Sequence, residues 1–317
     1  MRFYDLQNES LYCVGQCSLN CLYCKEKFDK TPYSTEYLIS KINVVLATQD
    51  ETITLTGGEP TIRKDFIQIF QYCVSHFKYV TLLSNLTGFS NQERLDQFFS
   101  LPLKTTTIIT TLDSHIPERF NYLTQRIYFD EKVKLIDQFY ERRDRLYELN
   151  IAIVPTCYNI DHLMELCEFI TTRWPGTTIV FRNLQFHGFS EEEIRDLAVP
   201  YAVLSQQIKL CETIILYRKS QYYVTNLPFC YAIGFEARLG EVNALKQAYS
   251  EPAHIKENLE IYRKDFPENI FIDGCKDCIH LKYCLGIHPG YIKVFGDKEF
   301  IGVKGYPLFH EHDASGS

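Results

Sequence analysis

Cys17, Cys21 and Cys24 stand in the run CSLNCLYC, at the end of a short apolar stretch. Three thiolates at this CxxxCxxC spacing can each take one corner of a cuboidal iron-sulfur cluster, which leaves the fourth iron without a protein ligand and open to a small chelating molecule. Other uses of thiols match the pattern less well: a zinc ribbon shows paired CxxC knuckles, and a thioredoxin-like redox pair needs a single CxxC. The plain alternative is three structural thiols.

A second run, TITLTGGEP, carries a β-type segment from Thr52 to Thr56 straight into Gly57, Gly58, Glu59 and Pro60. It offers a carboxylate and two positions without side chains, where a backbone can come close to a ligand. Its plain alternative is an ordinary Gly-Gly turn. A third signal lies near the C-terminus, where Cys275, Cys278 and Cys284 form CxxCxxxxxC and Cys230 sits upstream in NLPFC, after the strand-like YYVTNL. Four thiolates would fully ligate a second 4Fe-4S cluster, and a tetrahedral zinc site needs a similar set.

The cysteine triad, Tyr23 just before its last member, and the GGEP run resemble the signature of the radical S-adenosylmethionine (SAM) superfamily, in that family's order and spacing. The resemblance implies that SAM chelates the open iron and that one-electron reduction splits it to methionine and a 5'-deoxyadenosyl radical. That radical takes a hydrogen atom from a substrate C–H bond, and a flavodoxin- or ferredoxin-type protein supplies the electron. It further implies that Gly57 and Gly58 lie along the methionine end of SAM and that Glu59 takes its ammonium. Ser84, Asn85, Thr111 and Asp113 would serve its carboxylate and ribose, although a strand-end Asn or Asp is also a common turn former.

The C-terminal cysteines resemble the SPASM and twitch extensions of the same superfamily. His288 stands where the longer pattern has a further cysteine, so a shortened extension with one auxiliary cluster is expected. His288 itself reads as a ligand, a hydrogen bonder beside the cluster, or a satisfied turn histidine.

The elements that must position these residues alternate between strand-like and helix-like segments, as a parallel α/β architecture requires. Strands are expected near Leu11–Val14, Thr52–Thr56, Tyr79–Leu83, Thr106–Leu112, Ile151–Cys157 and Thr178–Leu184. Helices are expected at about Ser34–Ala47, Lys64–Phe77 and Asp130–Leu149, with Asp161 as a further N-cap. A last long helix starts with Ser190 and Glu193 at capping-box spacing, and Pro200 is placed to divide it. Six βα units resemble the partial (β/α)6 TIM-type barrel of radical SAM enzymes, over 1–220. Residues 221–317 then form a small cluster-binding extension ending in a mobile polar tail with His310 and His312.

Barrel enzymes build their sites at the C-terminal ends of the strands, and the polar residues named above fall there. Cys157 would sit at the mouth of strand five, where a thiol could hand a hydrogen atom to a substrate radical or simply pack. Cys13, Cys73, Cys167 and Cys211 read as core.

The 317 residues, 45% hydrophobic, can bury one large core or a large and a small one. Twelve cysteines without a secretion signal point to a reduced, cytoplasmic compartment. No run of 18 uncharged apolar residues suits a membrane. A net charge of −7, with dispersed basic residues, speaks against nucleic-acid binding. The run Arg142, Arg143 and Arg145, interleaved with Glu141, Asp144 and Glu148, reads as a solvated helix face.

The motifs do not name a substrate. The leading expectation is a ribosomally made peptide that is epimerised, crosslinked or oxidised. The alternative is a small-molecule radical enzyme acting on a sugar alcohol or nucleotide. A noncatalytic iron-sulfur scaffold or redox sensor comes last, because it has no use for the GGEP run.

Overall fold

The computed structural model describes residues 10–24, 33–240, 268–281 and 284–305. The histidines of the C-terminal tail lie outside the described residues. Seven strands form one parallel sheet in sequential order: β1 (Ser10–Tyr12), β2 (Thr52–Thr56), β3 (Tyr79–Leu83), β4 (Thr106–Thr111), β5 (Glu148–Ile153), β6 (Thr178–Arg182) and β7 (Gln221–Thr225). Among the described residues β1 and β7 are the two edges, so the sheet is an open, partial barrel.

Sequential parallel order requires a return connection after each strand, and helices supply most of them. They are α1 (Thr35–Ala47), α2 (Phe66–His76), α3 (Gln92–Ser100), α4 (Pro117–Thr124), α5 (Phe129–Glu141), α6 (Leu163–Arg173), α7 (Glu191–Leu197) and α8 (Tyr201–Tyr217). The capping box of Ser190 and Glu193 is present at the head of α7. Pro200 separates α7 from α8, as a residue without an N–H should.

Strand alternation divides the sheet into two faces. Ile53, Leu55, Val80, Leu82, Ile108, Ile151, Ile153, Ile179 and Phe181 face the helices and join the main core. That core also buries Phe66, Phe70, Phe89, Phe98 and Phe139 in mutual ring contact, between 4.9 and 6.2 Å centroid to centroid. The opposite, inner face carries a thin apolar layer of Leu83, Ile109, Ala152 and Val180. The other inner positions are mostly hydroxyl-bearing, and Thr54 and Thr81, paired across β2 and β3, are buried there. The core cysteines Cys13, Cys73, Cys167 and Cys211 are all buried.

Several features differ from expectation. The helix expected over Asp130–Leu149 ends at Glu141. The Arg143–Arg145 stretch is a short 3-10 turn, and Glu148 already belongs to β5. β5 in turn ends at Ile153, which leaves Cys157 in the loop beyond it. Asp161 is not a helix cap, because Arg119 holds its carboxylate at 2.6 Å and α6 starts after His162. Finally, YYVT, read from sequence as part of the extension, is the seventh strand and pairs with β6 from Thr178↔Gln221 to Arg182↔Thr225.

The region after β7 packs on the barrel through aromatic rings. A last helix, α9 (Pro289–Phe295), brings Tyr291 to stack on Tyr201 at 4.1 Å, and the Tyr201 amide donates to the Tyr291 hydroxyl at 2.8 Å. Among the described residues no helix is long and apolar enough to cross a membrane.

Candidate active site

The loop that carries the three cysteines leaves the C-terminal end of β1 and lies directly on the glycine turn after β2. Gly58 N–H donates to Val14 O at 2.7 Å and Glu59 N–H to Gln16 O at 2.9 Å. Gly57 holds φ +124°, and a Cβ on Gly58 would stand 2.0 Å from Gln16 O. Only glycine permits that conformation and that approach. At these positions the turn packs against the backbone of the cysteine loop.

The far side of the loop is fastened to the end of α4. Asn20 N–H donates to Thr124 O at 3.2 Å, Leu22 N–H to Leu123 O at 2.9 Å, and the Arg126 guanidinium to Ser18 O at 3.1 Å. A turn closed by Cys24 N–H on Cys21 O at 3.0 Å brings the last two cysteines together. Cys17 and Cys24 are exposed and Cys21 is half-buried. Partial desolvation of its thiol raises the Cys17 pKa, and neighbouring Glu59 and Cys24 raise it further. Burial, with Asp113 close by, pushes Cys21 up to about 12. Thiols that oppose each other's ionisation in this way gain most from a shared thiophilic cation, so the donor set fits an iron-sulfur cluster.

Glu59 is 0% exposed. Its Oε1 accepts from Thr61 N–H at 3.0 Å and from the Thr61 and Ser84 hydroxyls at 2.5 Å each, and its Oε2 accepts from Asn85 N–H at 2.5 Å. Burial still raises its pKa against all these donors. The carboxylate thus ties the turn after β2 to the end of β3. From there Asn85 Nδ2 reaches back to Cys17 Sγ and to Ser18 Oγ, both at 3.4 Å.

Asp113, also 0% exposed, closes β4. The Tyr23 hydroxyl donates to its Oδ2, and Val154 N–H donates to Oδ1 at 2.8 Å. Burial raises its pKa to about 6 despite these bonds and the attraction of Lys132. Asn159 Nδ2 adds a bond to the Asp113 carbonyl at 2.9 Å. Thr111, at the end of the same strand, is half-buried.

The Radical SAM superfamily description matches residues 11–170, half of the chain. The chain belongs to the radical SAM superfamily. Among curated proteins it is similar to the mitochondrial GTP 3',8-cyclase of Arabidopsis thaliana, 29% identical over 202 residues, which are 61% of this chain and 50% of that protein. It is also similar to the GTP 3',8-cyclase of Synechococcus elongatus, 27% identical over 187 residues, 56% of each chain. The chain therefore spans about half the length of these relatives.

Among solved structures, Streptococcus suis SuiB bound to the precursor peptide SuiA matches with a TM-score of 0.57 and 17% identity, over 68% of this chain and 48% of that one. Native anSMEcpe with bound AdoMet and the Kp18Cys peptide matches at 0.53 and 16%, over 67% and 63%. At these identities the likeness is one of fold.

This radical SAM chain carries a second group of cysteines after β7. Cys230, Cys275, Cys278 and Cys284 line one cavity, with Phe271, Ile287 and Phe300 among its apolar walls. Burial and the other three thiols raise the Cys230 pKa. Among the described residues no three metal-binding side chains converge tightly enough to hold a single ion. His288 stands apart as a turn histidine: its Nδ1 accepts from Gly290 N–H at 3.0 Å at the head of α9, and its Nε2 pairs with Glu268 at 2.7 Å.

Cys157 is exposed, and its Sγ donates to Asp196 O at 2.6 Å at the end of α7. Sequence reasoning passed over Asn159 and Lys132. Lys132 had a readable signal, since it stands among Val133, Leu135, Ile136 and Phe139, the buried side of α5.

Proposed function

We propose that this enzyme generates a 5'-deoxyadenosyl radical and uses it on a small-molecule substrate of the nucleotide class. The observation that carries the radical chemistry is the seating of the Cys17–Cys24 loop. It is locked on one side to the glycine turn of β2 and on the other to Asp113 of β4, at the end of the sheet where barrel enzymes work.

A 4Fe-4S cluster on Cys17, Cys21 and Cys24, with SAM beside it, would supply a radical able to take hydrogen from an unactivated carbon. The chain's own residues prepare the place. Glu59 holds Ser84 and Asn85 at the end of β3, which sets Asn85 Nδ2 against Cys17. Tyr23 and Asp113 hold the other end of the loop over β4. Thr111 and Asn85, at the ends of β4 and β3, would serve the methionine carboxylate and the ribose, while the Ser84 hydroxyl is engaged by Glu59 and Leu86. The auxiliary cysteines would hold a second 4Fe-4S cluster, and a flavodoxin- or ferredoxin-type donor would reduce the first.

For the substrate, the curated relatives favour the nucleotide alternative over the peptide expected first, because they are named for chemistry on GTP. The test is anaerobic turnover of the reconstituted enzyme with SAM, dithionite and a panel of nucleoside triphosphates that includes GTP, beside unmodified peptides, read by mass spectrometry. A nucleotide that raises 5'-deoxyadenosine formation and itself changes mass supports the reading. Turnover with a peptide and with no nucleotide overturns it.

A further inference from the structure

Lys132 lies on the buried side of α5 and is only 1% exposed, outside every motif of the chain. An ammonium is rarely buried unless specific groups receive it. Its Nζ donates to Asn85 O at 3.0 Å and to the Thr110 hydroxyl oxygen, and the Thr110 hydroxyl donates in turn to Ser84 O at 2.7 Å. The Tyr128 hydroxyl, one helical turn earlier, adds a second bond to Asn85 O at 3.1 Å.

These donors all act on one short stretch of backbone. The next residue, Leu86, holds φ +70°, a left-handed conformation unfavourable for a leucine, and its N–H is taken by Ser84 Oγ at 2.8 Å. The peptide between Asn85 and Leu86 is thus gripped at both ends. Strained backbone of this kind persists where its surroundings over-determine it. Directly upstream of that peptide, Asn85 N–H holds Glu59 and Asn85 Nδ2 meets Cys17.

We propose that Lys132 is a positioning residue for the three-cysteine site, holding the Asn85–Leu86 peptide so that Asn85 faces Cys17 and Glu59. The role reaches the chemistry through Asn85 and rests on the proposed use of Cys17, Cys21 and Cys24. Tyr128 shares the role, because both side chains donate to the same carbonyl oxygen. Thr110 couples the ammonium to Ser84 as well, so one buried charge sets the end of β3.

The experiment compares Lys132→Met, Tyr128→Phe and the double variant with the wild type. Amide hydrogen exchange at Asn85 and Leu86 is measured on the protein without metal, and SAM affinity on the iron-reconstituted protein. Lys132→Met should speed exchange at these amides more than in the strands around them. It should also weaken SAM binding by roughly tenfold or more, the usual weight of a charged hydrogen bond, with iron content retained. The two substitutions should be non-additive in both readouts, because they act on one oxygen.

Unchanged local exchange and unchanged SAM affinity, with only a lower global unfolding free energy, would reduce Lys132 to a buried structural cation and overturn the proposal. If Lys132→Met does not fold, Tyr128→Phe decides by the same readouts. Wild-type protein that takes up no iron would overturn the reading of the cysteine site, and the exchange data would still decide the role of Lys132.

Discussion

The Tyr23 hydroxyl donates to Asp113, 90 residues further along the chain, and so joins the cysteine loop to the end of β4. Asp113 is buried and Tyr23 half-buried, and the carboxyl takes one more bond from Val154 N–H. Removing the phenol leaves Asp113 one donor short. Tyr23→Phe should cost about 1–3 kcal/mol of stability and weaken SAM binding. Tyr23→Phe and Asp113→Asn should be clearly non-additive in a thermodynamic cycle. Strict additivity in urea unfolding would mean that the contact carries no weight.

Gly58→Ala places a methyl 2.0 Å from Gln16 O, where backbone lies on both sides and cannot yield cheaply. The overpacking cost is about 1–3 kcal/mol, and it falls on the loop that presents Cys17. The variant should fold with a lowered melting temperature and retain less of the SAM-responsive cluster. Iron analysis and melting curves check this, and wild-type values in both would refute it.

Much of this site could be read from the chain, and the unread parts have physical reasons. β2 and β3 emerge with their observed bounds, because β-rich runs there stop at Gly57 and at Ser84. The end of α5 was missed: Arg142 to Leu146 contains neither Gly nor Pro, and its charges continue a helical pattern. β7 looked like a strand, but a parallel pairing with β6 depends on a helix of 17 residues between them, which local sequence does not reveal. The motif residues were placed correctly at strand ends, whereas the partners of Glu59 come together only through β2–β3 pairing.

Lys132 makes a prediction about pH. Burial lowers its pKa from 10.5 to about 8, although Glu59, Asp113 and Cys21 pull it upward. Below pH 8 it is charged in both folded and unfolded chains, and the full cost of burying the charge is present. Between about 8 and 10.5 the unfolded chain binds more protons, so its contribution to stability rises with pH. The shift corresponds to a change on the order of 3 kcal/mol. Wild type should therefore gain on Lys132→Met between pH 7.5 and pH 10, since ionisations common to both cancel in the difference. Urea unfolding of both proteins at the two pH values measures it, and a constant difference would contradict the assignment.

Cys157 separates the substrate readings. Its thiol rests on the Asp196 carbonyl and is exposed. On the nucleotide reading, Cys157→Ala should leave both 5'-deoxyadenosine and product formation within about twofold of wild type, the scale of a surface change. Continued 5'-deoxyadenosine formation with loss of product would instead mark Cys157 as a hydrogen donor and return the peptide reading to the front.

The most direct test of the whole account is the iron and labile-sulfide content of anaerobically reconstituted protein, with EPR of the reduced sample before and after SAM, in wild type and in a Cys17→Ala, Cys21→Ala, Cys24→Ala variant. The account predicts about eight irons in the wild type, with one of two signals perturbed by SAM, and about four in the variant, with no response to SAM and no 5'-deoxyadenosine. A variant that keeps the SAM-responsive signal and cleaves SAM as the wild type does would contradict it.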